Sequence, residues 1–247
     1  MNYLECEGIV INKKDYGEAD RYVDVFTNKY GKISFGVKQI RKSQKREATS
    51  TDIMTVSKFI FYKKNDKIIV SNFTVIDSYV EIRESIENFE IGLCIIGILN
   101  NILMADEPNA KIYNITKKTL DVLKLEGSQK RNYLLLAYYI YFFIKNEGLK
   151  YDISSDGLYF SLENSRFYKN KQSNNFISIP NNVREIMNKL YTNQVRELLS
   201  ESNGITIDDI KEAINIFERY IKFHLEINLF LKNYLMGVEN DGYCKNN

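Results

Sequence analysis

The stretch Asp15–Arg46, DYGEADRYVDVFTNKYGKISFGVKQIRKSQKR, decides how the chain is read. It opens on a turn signal, Tyr16-Gly17-Glu18-Ala19-Asp20-Arg21, and continues as a strand-like run whose apolar members are Tyr22, Val23, Val25 and Phe26, closed by Thr27. Asn28 to Lys32 reads as a tight turn, because Gly31 can take positive φ without steric cost. Ile33-Ser34-Phe35-Gly36-Val37 then alternates with period 2 as a returning strand. From Lys29 to Arg46 there are seven cations, Lys29, Lys32, Lys38, Arg41, Lys42, Lys45 and Arg46, and no acid. Two strands joined by a glycine turn and followed by a purely basic loop point to a small β-barrel that meets a polyanion.

Working outward, residues 2–80 read as β. Gly8–Ile11 precedes the opening stretch, while Met54–Tyr62 and Ile68–Val75 follow the basic loop. Five short strands fit a compact barrel, and periodicity alone leaves an OB-fold and an SH3-like barrel open. From Asp77 the period becomes helical. Ser85 caps a helix to about Met104, Tyr113 to Leu123 line a second, and Ser128 starts a third that is apolar nearly all round. Asp152 to Pro180 interrupts with hairpin-like pieces about Glu163-Asn164. Helical spacing resumes at Val183, and Thr206 caps a last helix whose apolar face runs to about Leu235, before a frayed tail over 240–247.

The wording of the N-terminal stretch, GIVINKKDYGEADRYVDVFTNKYGKISFGVKQIRKS, resembles the RecO family of bacterial recombination mediators. That family shows a Gly-Ile-Val-like strand, then Asp-Tyr-Gly-Glu-Ser-Asp-Arg, Phe-Thr, a Tyr-Gly-Lys-Ile-like turn and a basic Arg-Lys-x-x-Ser loop. Tyr79–Glu84 also looks like the family's passage from barrel to helix. Two departures stand out: Gln39 occupies a position where the family usually has Gly, and no Pro follows the basic loop near Ile53. The resemblance selects the OB-fold. The expected fold is therefore α+β, an N-terminal five-stranded OB-fold barrel followed by an α-helical domain with a small hairpin insertion. Its expected domains are 1–80 and 81–247, with 149–180 as a remnant of the zinc-finger insertion that many relatives carry. Those relatives hold zinc with two Cys-x-x-Cys pairs; Gly148 to Pro180 has neither Cys nor His, so no structural zinc is expected and the loop Lys169 to Asn175 should be the most mobile internal segment.

Composition narrows the function classes. The 247 residues carry a net charge of only +2, yet residues 1–80 hold 14 Lys+Arg against 10 Asp+Glu and residues 151–247 hold 11 against 13. Three scattered cysteines imply no disulfide framework, as in a reducing cytosol. The most apolar run, Tyr133–Ile144, is too short to span a bilayer and no leader is recognised, so the expected location is cytoplasmic and, from the resemblance, nucleoid-associated. The only histidine, His224, reads as structural, and neither a GxxxxGK[ST] nor a GxGxxG phosphate loop occurs. No catalytic, cofactor-binding or metal site is expected, and no enzyme.

Binding remains. The cations assigned to DNA are Lys32, Lys38, Arg41, Lys42, Lys45 and Arg46, with Tyr16, Tyr22 and Tyr30 as exposed aromatic candidates and Phe59 and Phe61 as core. Arg21, flanked by Glu18, Asp20 and Asp24, is expected to be structural and to pair locally. The resemblance implies binding of single- and double-stranded DNA, strand annealing, and loading of the RecA recombinase together with RecR on strands coated by single-strand-binding protein. It also implies docking of that protein's acidic C-terminal tail, for which Lys130 and Arg131 could form a cationic rim. The rival reading is an adaptor whose barrel and helices bind only proteins, and an RNA-binding OB protein is a variant of the first class.

Overall fold

The computed structural model describes residues 2–65, 67–200 and 204–235. It divides into two compact units, Met1–Glu126 and Gly127–Asn247. The change from strand to helix near residue 80 is therefore not where the compact units part; three helices belong with the N-terminal sheet. The expected frayed tail, 240–247, lies outside the described residues.

The first unit is built on strands β1 (Leu4–Tyr16), β2 (Asp20–Thr27), β3 (Gly31–Val37), β4 (Val56–Lys64) and β5 (Lys67–Asp77). They form one antiparallel sheet in the order β3-β2-β1-β4-β5. The inner face carries Cys6, Val10, Val23, Val25, Ile33, Phe35, Phe59, Phe61 and Phe73 in a single core. Phe35 meets Phe59 edge-on at 5.5 Å between ring centroids, and Phe59 lies 6.4 Å from Phe73, so the sheet curls until its two ends share a core. The expected closed barrel is corrected here. No ladder joins β3 to β5, which remain the two edge strands. Irregularities in register at Val10/Asn12, Val56/Ser57 and Ile60/Phe61 coil the sheet without bringing its edges into pairing.

The β2–β3 turn shows why its glycine is needed twice over. Tyr30 N–H donates to Thr27 Oγ1 at 2.8 Å, that hydroxyl donates to the Gly31 carbonyl at 2.9 Å, and Gly31 takes φ +67°. A Cβ at Gly31 would lie 2.5 Å from the backbone of Glu107, so the connection between the second and third helices packs directly on it.

Helices α1 (Val80–Glu84), α2 (Ile86–Ile102) and α3 (Ala110–Leu123) follow; Ser85 caps α2 and Asn109 caps α3 through side-chain oxygens. They cover half of the outer face of the sheet. Ile9, Ile11 and Phe26 are buried there, Phe26 stacks edge-on with Tyr113 at 5.6 Å, and Asn100 Nδ2 donates to the Ile11 carbonyl at 2.7 Å. Glu7 is held by Tyr113 Oη at 2.9 Å and Lys117 Nζ at 2.7 Å. The other half of that face, toward the β1–β2 hairpin tip, carries exposed Asn12, Lys14, Tyr16, Tyr22 and Gly36.

The second unit packs α4 (Gln129–Asn146), α5 (Asn181–Tyr191) and α6 (Ile207–Leu225) around a small sheet. Thr206 and Asp209 make a reciprocal capping box at the start of α6. The insertion contains the expected hairpin, β6 (Tyr159–Ser161) with β7 (Arg166–Tyr168), and adds a third strand, β8 (Phe176–Ser178), on the other side of β6. Helix α6 ends at Leu225, ten residues short of the expected Leu235, because Glu226 takes left-handed φ +59°. The chain then folds back, burying Leu229, Leu231 and Leu235.

Candidate nucleic-acid interface

The basic loop leaves β3 at Val37 and returns to β4 at Val56, and it is structured by the strands beneath it. Gln39 N–H donates to Asp20 Oδ1 at 2.8 Å, and Arg41 N–H donates to the Ala19 carbonyl at 3.1 Å. Ile40 is fully buried in the inner core, and residues 40–42 and 48–51 form single 3-10 turns. Gln39 sits at φ +57°, the left-handed conformation that glycine adopts freely, which explains why the family's glycine belongs there.

The six cations are not equivalent. Arg41 donates to the Gly17 carbonyl and lies 3.8 Å from Asp15, while Lys42 pairs directly with Glu18. The Lys42 and Glu18 side chains are 57% and 87% exposed, so this pair contributes little to stability. Arg46 donates to the Lys38 carbonyl at 2.9 Å and folds the loop on itself. Lys38 and Lys45 are exposed. Lys32 is half-buried, with its backbone bridged to Ala105, which sets it apart from the other five.

Arg21 is 6% exposed and structural, as the sequence suggests, but with partners that the sequence did not name. Its Nε donates to Asp15 at 2.7 Å, and its Nη1 donates to Asp52 at 2.9 Å, Thr51 Oγ1 at 3.0 Å and the Ala48 carbonyl at 3.4 Å. Lys13 also reaches Asp52 at 2.7 Å. Its partners are therefore not Glu18, Asp20 or Asp24. Strand alternation puts Asp20 and Asp24 out of phase with Arg21, whose cross-strand neighbours are Asp15 and Val37. The hydrogen bond from Arg21 holds the Asp15 carboxyl below its usual value; burial opposes it, and the charges of Arg21, Arg41 and Lys13 add to it.

Beside the loop, the open half of the outer sheet face carries a cross-strand row, Lys14 opposite Tyr22 opposite Gly36. Tyr22 is 43% and Tyr16 53% exposed, and Lys14 Nζ stands 5.4 Å from the Tyr16 ring centroid. Because Gly36 has no side chain, Tyr22 keeps one flank uncovered. Tyr30 is instead packed on Phe61 at 5.4 Å, and Phe59 and Phe61 are fully buried. Cations that can follow phosphates and rings that can stack with bases thus occupy adjoining surfaces of the same three strands.

The other sequence candidates lie in the second unit. Lys130 Nζ donates to the Ser200 carbonyl at 3.1 Å, and the Arg131 side chain lies over Gly127 at the start of α4. A depression of about 410 Å³ in that unit is lined by polar residues of α5, including Arg184, Asn188 and Lys189, and does not include the Lys130–Arg131 pair. His224 donates from Nε2 to the Leu162 carbonyl at 2.8 Å and packs on Tyr220, a structural role. Among the described residues no cluster of His, Cys, Asp and Glu is placed to hold a metal ion, and no helix is long and apolar enough to cross a membrane.

Comparison with known proteins bears on this surface directly. Residues 1–79 match the family described as Recombination protein O N terminal, a segment that contains the whole curled sheet and basic loop. Over this segment the chain is similar to RecO proteins. It is 30% identical over 123 residues to the DNA repair protein RecO of Acetivibrio thermocellus, covering 50% of this chain and 49% of that relative. Against the RecO of Moorella thermoacetica it is 25% identical over 120 residues, covering 49% and 45%. In these two matches the chain spans about half the relative's length. The RecO of Caldanaerobacter subterraneus subsp. tengcongensis is similar throughout, 20% identical over 249 residues, covering 97% of this chain and 100% of that one.

Proposed function

We propose that this protein is a DNA repair and recombination mediator of the RecO type that binds single- and double-stranded DNA through the basic loop and the adjoining sheet face. The observation that carries the reading is the presentation of Lys38, Arg41, Lys42, Lys45 and Arg46 at the surface beside exposed Tyr16 and Tyr22. The relatives' name, DNA repair protein RecO, points the same way. The mechanism is noncovalent. Cations neutralise phosphate charge so that two complementary strands can approach and anneal, and stacking rings keep bases available for pairing. No nucleotide is hydrolysed and the protein acts as no enzyme, in keeping with its single histidine held by a backbone carbonyl.

In this role the protein works in the cytoplasm at the nucleoid. With RecR it loads RecA on strands coated by single-strand-binding protein, and it receives that protein's acidic tail on its helical part. The test is anisotropy with labelled single-stranded and duplex oligonucleotides, comparing the natural protein with a variant in which Arg41, Lys42, Lys45 and Arg46 are all Glu. Because Arg41, Lys42 and Arg46 also make contacts at the loop, folding of the variant is checked by circular dichroism and thermal melting. Affinity should fall by about two orders of magnitude. Unchanged affinity in the folded variant would overturn the site.

A further inference from the structure

We propose that Arg21 is the positioning residue of the basic loop: from within the sheet it fixes the loop's geometry, without itself contacting DNA. The inference rests on the loop being the DNA surface, but its structural half is read separately. One guanidinium collects strand residue Asp15 and loop residues Ala48, Thr51 and Asp52. Asp15 in turn lies 3.8 Å from Arg41, so an alternating chain, Asp52–Arg21–Asp15–Arg41, ties the end of the loop to its beginning.

The chemistry requires arginine. The acceptors lie on two sides of the side chain, and a planar fork with fixed donors reaches both, whereas an ammonium is a single point. Arg21 is nearly buried, so it is not available to a phosphate. Its charge is balanced by two carboxylates, which leaves the exposed cations Lys38 and Lys45 as the groups presented outward. The loop's apolar anchors, Ile40 and Met54, lie near its ends. The segment between them is held by the Arg21 network together with Lys13–Asp52, Ala48 packed on the core, Ser57 Oγ donating to the Ser50 carbonyl at 3.0 Å, Arg83 donating to the Ile53 carbonyl, and short local turns. Without Arg21, the cations would sample many arrangements, and DNA binding would carry the cost of ordering them.

The experiment pairs amide hydrogen exchange with DNA binding in Arg21→Lys and, as a milder change, Asp52→Asn, which keeps the guanidinium and removes only a loop-side charge. Exchange is followed at Arg41, Ser50 and Asp52, whose N–H groups bond within or beneath the loop, and at β1–β2 amides as a measure of the fold. The expected result is at least tenfold faster exchange in the loop, unchanged protection in β1 and β2, and about tenfold weaker DNA binding for Arg21→Lys, with Asp52→Asn intermediate. A purely structural contribution would instead accelerate sheet and loop together and leave the affinity of the folded fraction unchanged. That result, or unchanged loop exchange in both variants, would overturn the proposal. If the loop loosens as expected but the natural protein binds no DNA, the reading of the loop as a DNA surface falls and the positioning role stands.

Discussion

The loop after β3 and the insertion before α5 are both long excursions, and they are held by opposite means. The loop over 38–55 is organised by charge: Arg21, Asp15 and Asp52 bind it from below while its own cations face outward. The insertion over 149–180 is organised by rings. Phe160 and Phe167 are buried and in contact at 5.2 Å, Phe160 meets Tyr220 at 5.6 Å, and Tyr151 donates from its hydroxyl to the Met187 carbonyl at 2.7 Å. The difference teaches where each segment can vary. A charge-held loop keeps cations at its surface, whereas a ring-held insertion turns its large side chains inward.

The comparison breaks most visibly at Phe160. Phe160→Ala should cost about 3–5 kcal/mol of stability, measured by urea unfolding, because it empties the centre of the insertion. A loss below about 1 kcal/mol would show that the insertion is held by something other than its rings. On the charge-held side, Tyr22→Ala should weaken single-strand binding by about 1–3 kcal/mol through lost stacking and leave duplex binding nearly unchanged. Equal losses on both substrates would remove Tyr22 from the base-contacting surface. Gln39→Gly should stabilise the loop, by up to about 1 kcal/mol, since the backbone there is already left-handed.

Acid should separate the two units. Asp15 is depressed by its hydrogen bond from Arg21, so its contribution is present above its ordinary value of 3.8 and is lost as pH falls through the lower folded value. Glu218 in α6 is raised by burial, despite accepting from Leu231 N–H at 3.0 Å. Its contribution is fully present below its ordinary value of 4.5 and is lost as pH rises through the raised one. Lowering the pH from neutral toward 4.5 should therefore protect the segment folded back over α6 in hydrogen exchange while leaving the loop unaffected. Protection lost in that interval would contradict the sign. The smallest expected effect is none: a chelator should leave the melting temperature unchanged, and about one zinc per chain in elemental analysis would overturn the ring-held account.

Much of this architecture was legible in the sequence because it is local. The caps at Ser85, Ser128 and Thr206, the glycine at the β2–β3 turn and the hairpin about Glu163-Asn164 all announce themselves within four or five residues. What was not legible is nonlocal. The open edges of β3 and β5 follow from accumulated coiling along the whole sheet, and the Arg21 network joins residues 13, 15, 21, 41 and 52 across strands and loop. Strand β8 has three residues and follows a polar run, so no alternation marks it. The end of α6 falls at Glu226, a left-handed residue without the glycine that usually signals one. At the candidate site, the sequence showed a run of cations without acids, but it could not tell that Arg41 and Lys42 lean on the β1–β2 hairpin while Lys32 stands apart.

The most direct test of the account is titration of labelled single-stranded DNA with the natural protein across a series of salt concentrations. A surface that acts by charge releases counterions, so the logarithm of affinity should fall linearly with the logarithm of salt, with a slope near −0.7 per phosphate contacted. Four to six engaged cations predict a slope of roughly −3 to −4. A flat dependence, or no binding at low salt, would contradict the claim that this loop is built to meet a nucleic-acid backbone.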